Sequence, residues 1–353
     1  MNDTRPLGVV LFQLGGPDSL VSVEPFLFNL FSDPDIIDFP FARLARPALA
    51  RLISSRRARH VQKHYAEIGG KSPIRELTEQ QAAALEAELR RSLDARVFVA
   101  MRYWRPLTEE AIRRAQGCRE LILLPLYPQY STTTTRSSLN EWQRQYAKLN
   151  GARAPVRIIH HFYDHPLYIE AVVERINEGL QGFGDHAATS VVNGRMPAPT
   201  PDPRPLTPDP SADVHLVFSA HGVPMKAIEA GDPYREHIEA TVRLVCESGR
   251  WPNPHTLCYQ SRVGPGRWLA PSLDTTLHKL ASEGARRVLV VPIAFVTDHV
   301  ETLHEIDIEA RRLAHRLGIP EFATMSGLND SPTFIRALAD LVRKALEDSP
   351  QTP

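Results

Sequence analysis

The sequence is poor in cysteine, carries no net charge and has no long apolar run. Its three cysteines, Cys118, Cys246 and Cys258, are widely spaced among 353 residues and form no CxxC pair. That count excludes a disulfide framework and a cysteine-only metal site. It suits a reducing compartment, where buried thiols behave as small hydrophobes. Forty-one Lys plus Arg balance 41 Asp plus Glu, so no bulk field favours nucleic acid. No apolar stretch approaches the roughly 18 residues of a membrane span. The first, Leu7 to Leu14, has strand length, stops at Gly15-Gly16-Pro17, and lacks the basic start and small-residue exit of a secretory leader. A cytoplasmic location is the expectation. Walker A, G-x-G-x-x-G and G-x-S-x-G patterns are missing, which argues against common nucleotide sites and an α/β-hydrolase.

At 42% hydrophobic and 23% charged, the composition is that of a globular protein long enough for two domains. Short β-branched runs alternate with longer helical stretches, the pattern of βαβ units on a parallel sheet. The expected strands are 7–13, 96–101, 120–126 and 156–160, then 214–219, 256–260, 287–293 and 321–325. The clearest helix is expected at 78–92. The halves also match in detail: VVLFQLGGP resembles LVFSAHGVP, and RELILLPLYPQYS resembles ARRVLVVPIAFVTD. This pattern predicts two similar doubly wound, Rossmann-like α/β domains with four-stranded parallel sheets, at 1–160 and 161–353, with a C-terminal helix that can pack back on the first. Ligands of such folds sit at the carboxyl ends of the strands, here in the interdomain cleft. The proline-rich stretch 196–210 fits neither half and reads as an exposed insert.

Several residues could carry chemistry. His221 follows a buried strand, and an imidazole is a side chain that can accept and release protons at cellular pH, although a turn-capping role would explain it equally well. Glu301, Glu305 and Glu309 recur every four residues, so a helix would place them in one acidic stripe. Like charges at that spacing cost a few tenths of a kcal/mol per pair. The stripe therefore reads either as a path for cations or protons, or as a solvated helix face. His299 and His304 lack the spacing of a closed zinc site. Aromatic and hydroxyl residues gather at three strand ends: Arg102-Tyr103-Trp104, Tyr127 to Ser131, and Tyr259-Gln260-Ser261-Arg262 with Trp268. Together they would line a flat apolar cleft rimmed with donors, suited to a planar ligand with acid groups. Residues 26–53, with Arg43, Arg46 and Arg51 and three prolines, read as a broken helical lip. It either caps the core or covers the cleft and meets a membrane surface.

The blocks LGGPDS, YAEIGGKSPI, AMRYWRPLTEEAI, LPLYPQYSTTTTRSSLNEW, LVFSAHGVPM, GDPYREHIEATV, YQSRVGPGRWLAPSLDTTL, VPIAFVTDHVETLHEIDIE and LNDSPTFIRALADLV resemble the ferrochelatases, in order, from about Leu7 to Leu346. The blocks YPQYSTTTTRSSLN and QSRVGPGRWLAP are most like the protoporphyrin-type branch. The resemblance implies a class II chelatase fold and insertion of Fe2+ into protoporphyrin IX, giving protohaem and two protons. It implies His221 and Glu301 as the catalytic and metal-site pair, with Glu305 and Glu309 as a relay. It implies Leu14, Arg102, Tyr103, Tyr127, Ser131, Tyr259, Ser261 and Trp268 as the porphyrin pocket. Iron is then a substrate and no prosthetic group is expected. Some relatives hold a [2Fe-2S] cluster through cysteines near the C-terminus and after YPQYS, where this chain has Thr132, so no cluster is expected. Two positions depart from the family pattern, Leu14 for a methionine and Tyr259 for the first aromatic of its block, and both keep an apolar wall. Expected partners are the porphyrin, Fe2+, a membrane surface at its inner face and an upstream porphyrinogen oxidase. Coproporphyrin insertion and a non-catalytic tetrapyrrole or haem carrier are the alternatives.

Overall fold

The computed structural model describes residues 4–35, 42–148, 154–188, 213–261 and 266–347. The proline-rich stretch 196–210, Arg262 and residues 36–41 of the lip, with Phe39 and Phe41, lie outside the described residues.

Eight strands appear where the apolar runs predict them: β1 (Leu7–Gln13), β2 (Ala95–Met101), β3 (Glu120–Pro125), β4 (Val156–Ile158), β5 (His215–His221), β6 (His255–Gln260), β7 (Arg287–Pro292) and β8 (Glu321–Thr324). They form two four-stranded sheets, ordered β2-β1-β3-β4 and β6-β5-β7-β8, with every pairing parallel. Helices cover parallel sheets on both faces, which is why β1 is buried along its whole length and reads as an unbroken apolar run. The identical strand order makes the halves comparable residue by residue. Phe12 faces Pro125 in the first sheet as Ser219 faces Pro292 in the second. Leu14 and His221, each two residues on, therefore occupy corresponding strand ends.

Beyond shifts of one or two residues at other strand ends, three features differ from expectation. The strand expected to stop at Ser219 runs on to His221, because its pairing with β6 continues to Gln260 beyond the last partner in β7. The helix expected at 78–92 spans Ile74–Leu89, starting directly after Pro73, whose fixed φ suits a helix entry. Pro47, expected to break the lip, lies inside the 26-residue helix Ala42–Glu67. It sits early in that helix, and the long run of Ala, Leu and Arg around it carries the helix through.

One apolar cluster spans both sheets, joining Leu7, Val9 and Leu11 with Leu216, Phe218, Leu289 and Val291. The C-terminal helix Pro332–Glu347 adds Phe334, Leu338 and Val342 to it, packing on the helices Ile74–Leu89 and Pro166–Ala188. Buried glutamines tie the halves further. Gln129 Nε2 donates to Thr241 Oγ1 at 3.1 Å and to the Ile293 carbonyl at 3.3 Å. Gln81 Nε2 donates to the Asn329 carbonyl at 2.9 Å, while its Oε1 accepts from Thr297 at 3.1 Å. A separate cluster gathers the lip helices Val23–Phe31 and Ala42–Glu67 around Phe26, Leu27, Phe31, Tyr65 and Tyr103, with Leu14 and Val300 packed against it. The lip therefore rests against the residue that precedes Glu301.

Candidate active site

The end of β5 delivers His221. Its Nδ1 lies 2.7 Å from the carbonyl oxygen of Gly222, so Nδ1 carries the proton and Nε2 the lone pair. That turn requires glycine at 222, because a Cβ there would meet the carbonyl oxygens of Gln260 and Ser261 at 2.8 and 2.9 Å. His221 Nε2 faces Glu301 Oε1 at 3.7 Å, beyond hydrogen-bond range.

Glu301 opens a ten-residue π-helix, Glu301–Ala310, which follows the loop after β7. The acidic stripe thus lies on a wide i→i+5 helix rather than an α-helix, a form that gathers at functional sites. The second carboxylate oxygen, Oε2, faces His299 Nε2 at 3.8 Å. Both atoms are buried without a hydrogen-bond partner. His299 Nδ1 is engaged by the Thr297 carbonyl at 3.1 Å, so it repeats the tautomer of His221. One carboxylate therefore sits between two imidazole lone pairs, an array of acceptors with no donor among them. Burial alone would raise the Glu301 pKa; once the facing imidazoles take up protons, the positive charge on His221, and then that on His299, outweighs burial and holds the carboxyl down to about 2. Such an array draws in protons or a cation.

Glu305 is gripped by Ser261, whose backbone N–H and Oγ donate to it at 2.8 and 2.5 Å. Burial and then the Glu301 charge raise its pKa. Ser261 has φ of 56°, the left-handed region, which turns both donors toward the carboxylate. Glu309 is exposed at the outer end of the stripe.

The structure places the other expected pocket residues in two polar networks beside this centre. Arg102 is largely buried, pairing with Asp33 at 2.7 Å and donating to Ser137 at 3.0 Å. Tyr103 donates its hydroxyl to the same Asp33 at 2.7 Å. Tyr127 is buried with its hydroxyl 3.5 Å from Ser138. Ser131 and Thr132 belong to the second network: Ser131 Oγ, Thr132 N and Thr132 Oγ1 all donate to Asp232 of the other half, at 3.0, 2.8 and 2.7 Å. Leu14 lies on the lip cluster, Tyr259 is buried at the end of β6, and Trp268 bridges Pro224 just after His221. Their polar atoms are largely committed within the protein, whereas Glu301 faces His221 and His299 beyond hydrogen-bond range.

Residues 6–346 match the family model for ferrochelatase. The chain belongs to the ferrochelatase family. The ferrochelatase of Geobacter metallireducens is 50% identical over 339 residues, covering 96% of this chain and 98% of the relative. That of Aquifex aeolicus is 44% identical over 339 residues, covering 95% and 98%. Among solved structures, SirB from Bacillus subtilis with Fe3+ superposes with a TM-score of 0.51 at 12% identity, over 96% of this chain and 95% of that one. The shared architecture is the class II chelatase fold. The chain is a porphyrin metal chelatase. No helix among the described residues is long and apolar enough to cross a membrane.

Sequence reasoning missed three neighbours of the ferrochelatase centre. Spacing associates His299 only with His304, yet His299 faces Glu301 while His304 faces Glu67 on the helix Ala42–Glu67. Tyr65 is buried, and burial followed by the Glu301 charge raises its pKa. Tyr234 donates its hydroxyl to the His221 carbonyl at 3.1 Å. Both tyrosines lie in blocks already quoted, YAEIGG and GDPYREH, but nothing in their spacing points to Glu301.

Proposed function

We propose that the protein inserts Fe2+ into protoporphyrin IX, producing protohaem and two protons. The observation that carries this reading is the single carboxylate held between two imidazole lone pairs. A free-base porphyrin must lose two pyrrole protons as the dication enters, so the site needs basic atoms beside an anion. His221 Nε2 is the proton acceptor, and Glu301 stabilises the imidazolium that forms. The same carboxylate, kept ionised by its two neighbours, holds the incoming iron. Glu305 and Glu309 continue the acidic file outward and pass charge between the centre and solvent. Ring nitrogens of a flat macrocycle point their lone pairs into its own plane. Binding energy from Leu14, Tyr259 and Trp268, with Arg102, Tyr103, Tyr127, Ser131 and Ser261 around them, is used to seat and bend it.

An anaerobic Fe2+ insertion assay with protoporphyrin and coproporphyrin tests the reading. Turnover of protoporphyrin at the higher kcat/KM is expected; preference for coproporphyrin overturns the substrate, and no metallation of either overturns the chemistry. No iron–sulfur cluster takes part. Cys118 precedes β3, Cys246 is in the helix Tyr234–Gly249 and Cys258 is in β6, with Cys118 and Cys258 buried. Protein purified without oxygen is expected to release only trace acid-labile sulfide, and stoichiometric sulfide would refute this.

The lip serves as a peripheral membrane contact. Among the described residues, the exposed large hydrophobic side chains are Leu49 and Leu52 on this segment and Leu20 and Val21 just before it, and Val21 is 84% exposed. Of these, Val21 lines a hollow of about 350 Å³ together with Glu24, Pro25, Phe28, Arg51 and Ser54.

A further inference from the structure

Asp33 lies just past the helix Val23–Phe31, at the base of the lip, with its side chain fully buried. A buried carboxylate needs donors around it, and four meet this one. Oδ1 accepts from Arg102 Nη2 at 2.7 Å and from the backbone N–H of Asp35 at 2.9 Å. Oδ2 accepts from the hydroxyls of Tyr103 and Ser137, each at 2.7 Å. Arg102 Nε also donates to Ser137 Oγ at 3.0 Å, so carboxylate, guanidinium and hydroxyl close a ring. Burial, and then the Asp33 charge, raise the Tyr103 pKa and keep its hydroxyl a donor. The backbone of the same two residues holds the end of β1. The N–H groups of Arg102 and Tyr103 donate to the carbonyls of Gln13 and Leu14 at 2.8 and 2.9 Å. The Tyr103 ring lies in the apolar cluster against which Leu14 packs.

We propose that Asp33 is a positioning residue for porphyrin binding, which through Arg102, Tyr103 and Ser137 fixes the wall that carries Leu14 without touching the ligand itself. The inference rests on the reading of that wall as the porphyrin pocket. Asp33 joins the lip to the turn after β2 and to the first residue of the helix Ser137–Tyr146. The next acids, Asp35 and Glu141, stand 3.9 Å from Arg102. Removing the Asp33 charge therefore leaves the guanidinium buried without a close counter-ion. Charge-assisted bonds are short and directional, and losing them lets Arg102 and Tyr103 turn away from the end of β1. The chemistry is spared, because His221 and Glu301 belong to β5 and the π-helix of the other half. A contact that serves ground state and transition state alike moves KM and leaves kcat.

Steady-state insertion of Fe2+ by the full chain, with each of the two porphyrins, tests this. Asp33→Asn keeps the shape and removes the charge. It is expected to raise the porphyrin KM by about tenfold, with kcat within about threefold and the Fe2+ KM within about twofold. Arg102→Gln is expected to match it, and the double variant to be no worse than the more impaired single one, since both act through one contact. Asp35→Asn removes the neighbouring charge, which Asn140 and Arg144 hold at 2.7 and 2.8 Å, and is expected to keep the porphyrin KM of wild type. Tyr103→Phe deletes only the hydroxyl that reaches Asp33. It is expected to raise the porphyrin KM about threefold at an unchanged melting temperature, and it decides the matter if Asp33→Asn does not fold. An unchanged porphyrin KM, additive effects in the double variant, or an equal rise in Asp35→Asn would overturn the role of Asp33 while wild type remains active. Wild type that metallates neither porphyrin would overturn the porphyrin reading, and this inference with it.

Discussion

Glu301 is held as an anion by the positive charge of the protonated imidazoles that face it, and that leaves a signature in acid. Its folded pKa of about 2 lies below the ordinary value of 4.5, so the folded state binds this proton less readily than the unfolded chain does. The resulting stabilisation is complete above about pH 4.5 and is lost as pH falls toward 2. In urea titrations, the advantage of wild type over Glu301→Gln is therefore expected to shrink across that window; a constant gap would contradict the depressed pKa. His221→Ala separates chemistry from binding. Removal of the proton acceptor is expected to lower metallation by about 10²- to 10⁴-fold. Porphyrin affinity is expected to stay within about tenfold, since the walls and not the imidazole hold the ring. Fluorescence titration with porphyrin and a stopped assay read the two effects, and unaltered turnover would remove His221 from the mechanism.

The strands were legible because the central ones, such as Leu7–Gln13 and Arg287–Pro292, are short, nearly continuous apolar runs, as burial on both faces of a parallel sheet demands. The Glu301–Ala310 segment was legible as a helix but not as a π-helix. Its four-residue spacing of Glu301, Glu305 and Glu309 satisfies an α-helix equally well, and the wider turn depends on what packs around it. Pro47 misled for the opposite reason: a local breaking signal yields when the surrounding residues favour helix. The lip helices support a test with vesicles. Basic side chains near an anionic surface contribute about 1 kcal/mol each, and exposed apolar groups add insertion. Reversible, salt-sensitive association with anionic vesicles is expected, and Val21→Ser with Leu52→Ser is expected to weaken it at unchanged melting temperature. Wild type that ignores such vesicles at low salt would exclude a membrane role for the lip.

At the scale of the molecule, His221 and Glu301 were legible as a pair only through the family resemblance. They lie on different elements, and their meeting depends on β5 and β7 being neighbours with the loop after β7 folding back. The stack of His64 on His304, with ring centroids 4.1 Å apart, was not legible at all, since it joins the helix Ala42–Glu67 to the π-helix with no shared motif. The apolar cluster spanning both sheets makes the C-terminal helix part of the foundation. Phe334 is fully buried there, and Phe334→Ala is expected to cost about 3–5 kcal/mol in urea unfolding, in a single transition. Two separate transitions would show that the halves melt independently. The shared core also sets what a break in covalent continuity would do. Fragments 1–190 and 211–353, produced apart, would each present a raw apolar face and aggregate, whereas produced together they would reassemble into an active complex; the peptide bond between the halves is dispensable, but their contact is not.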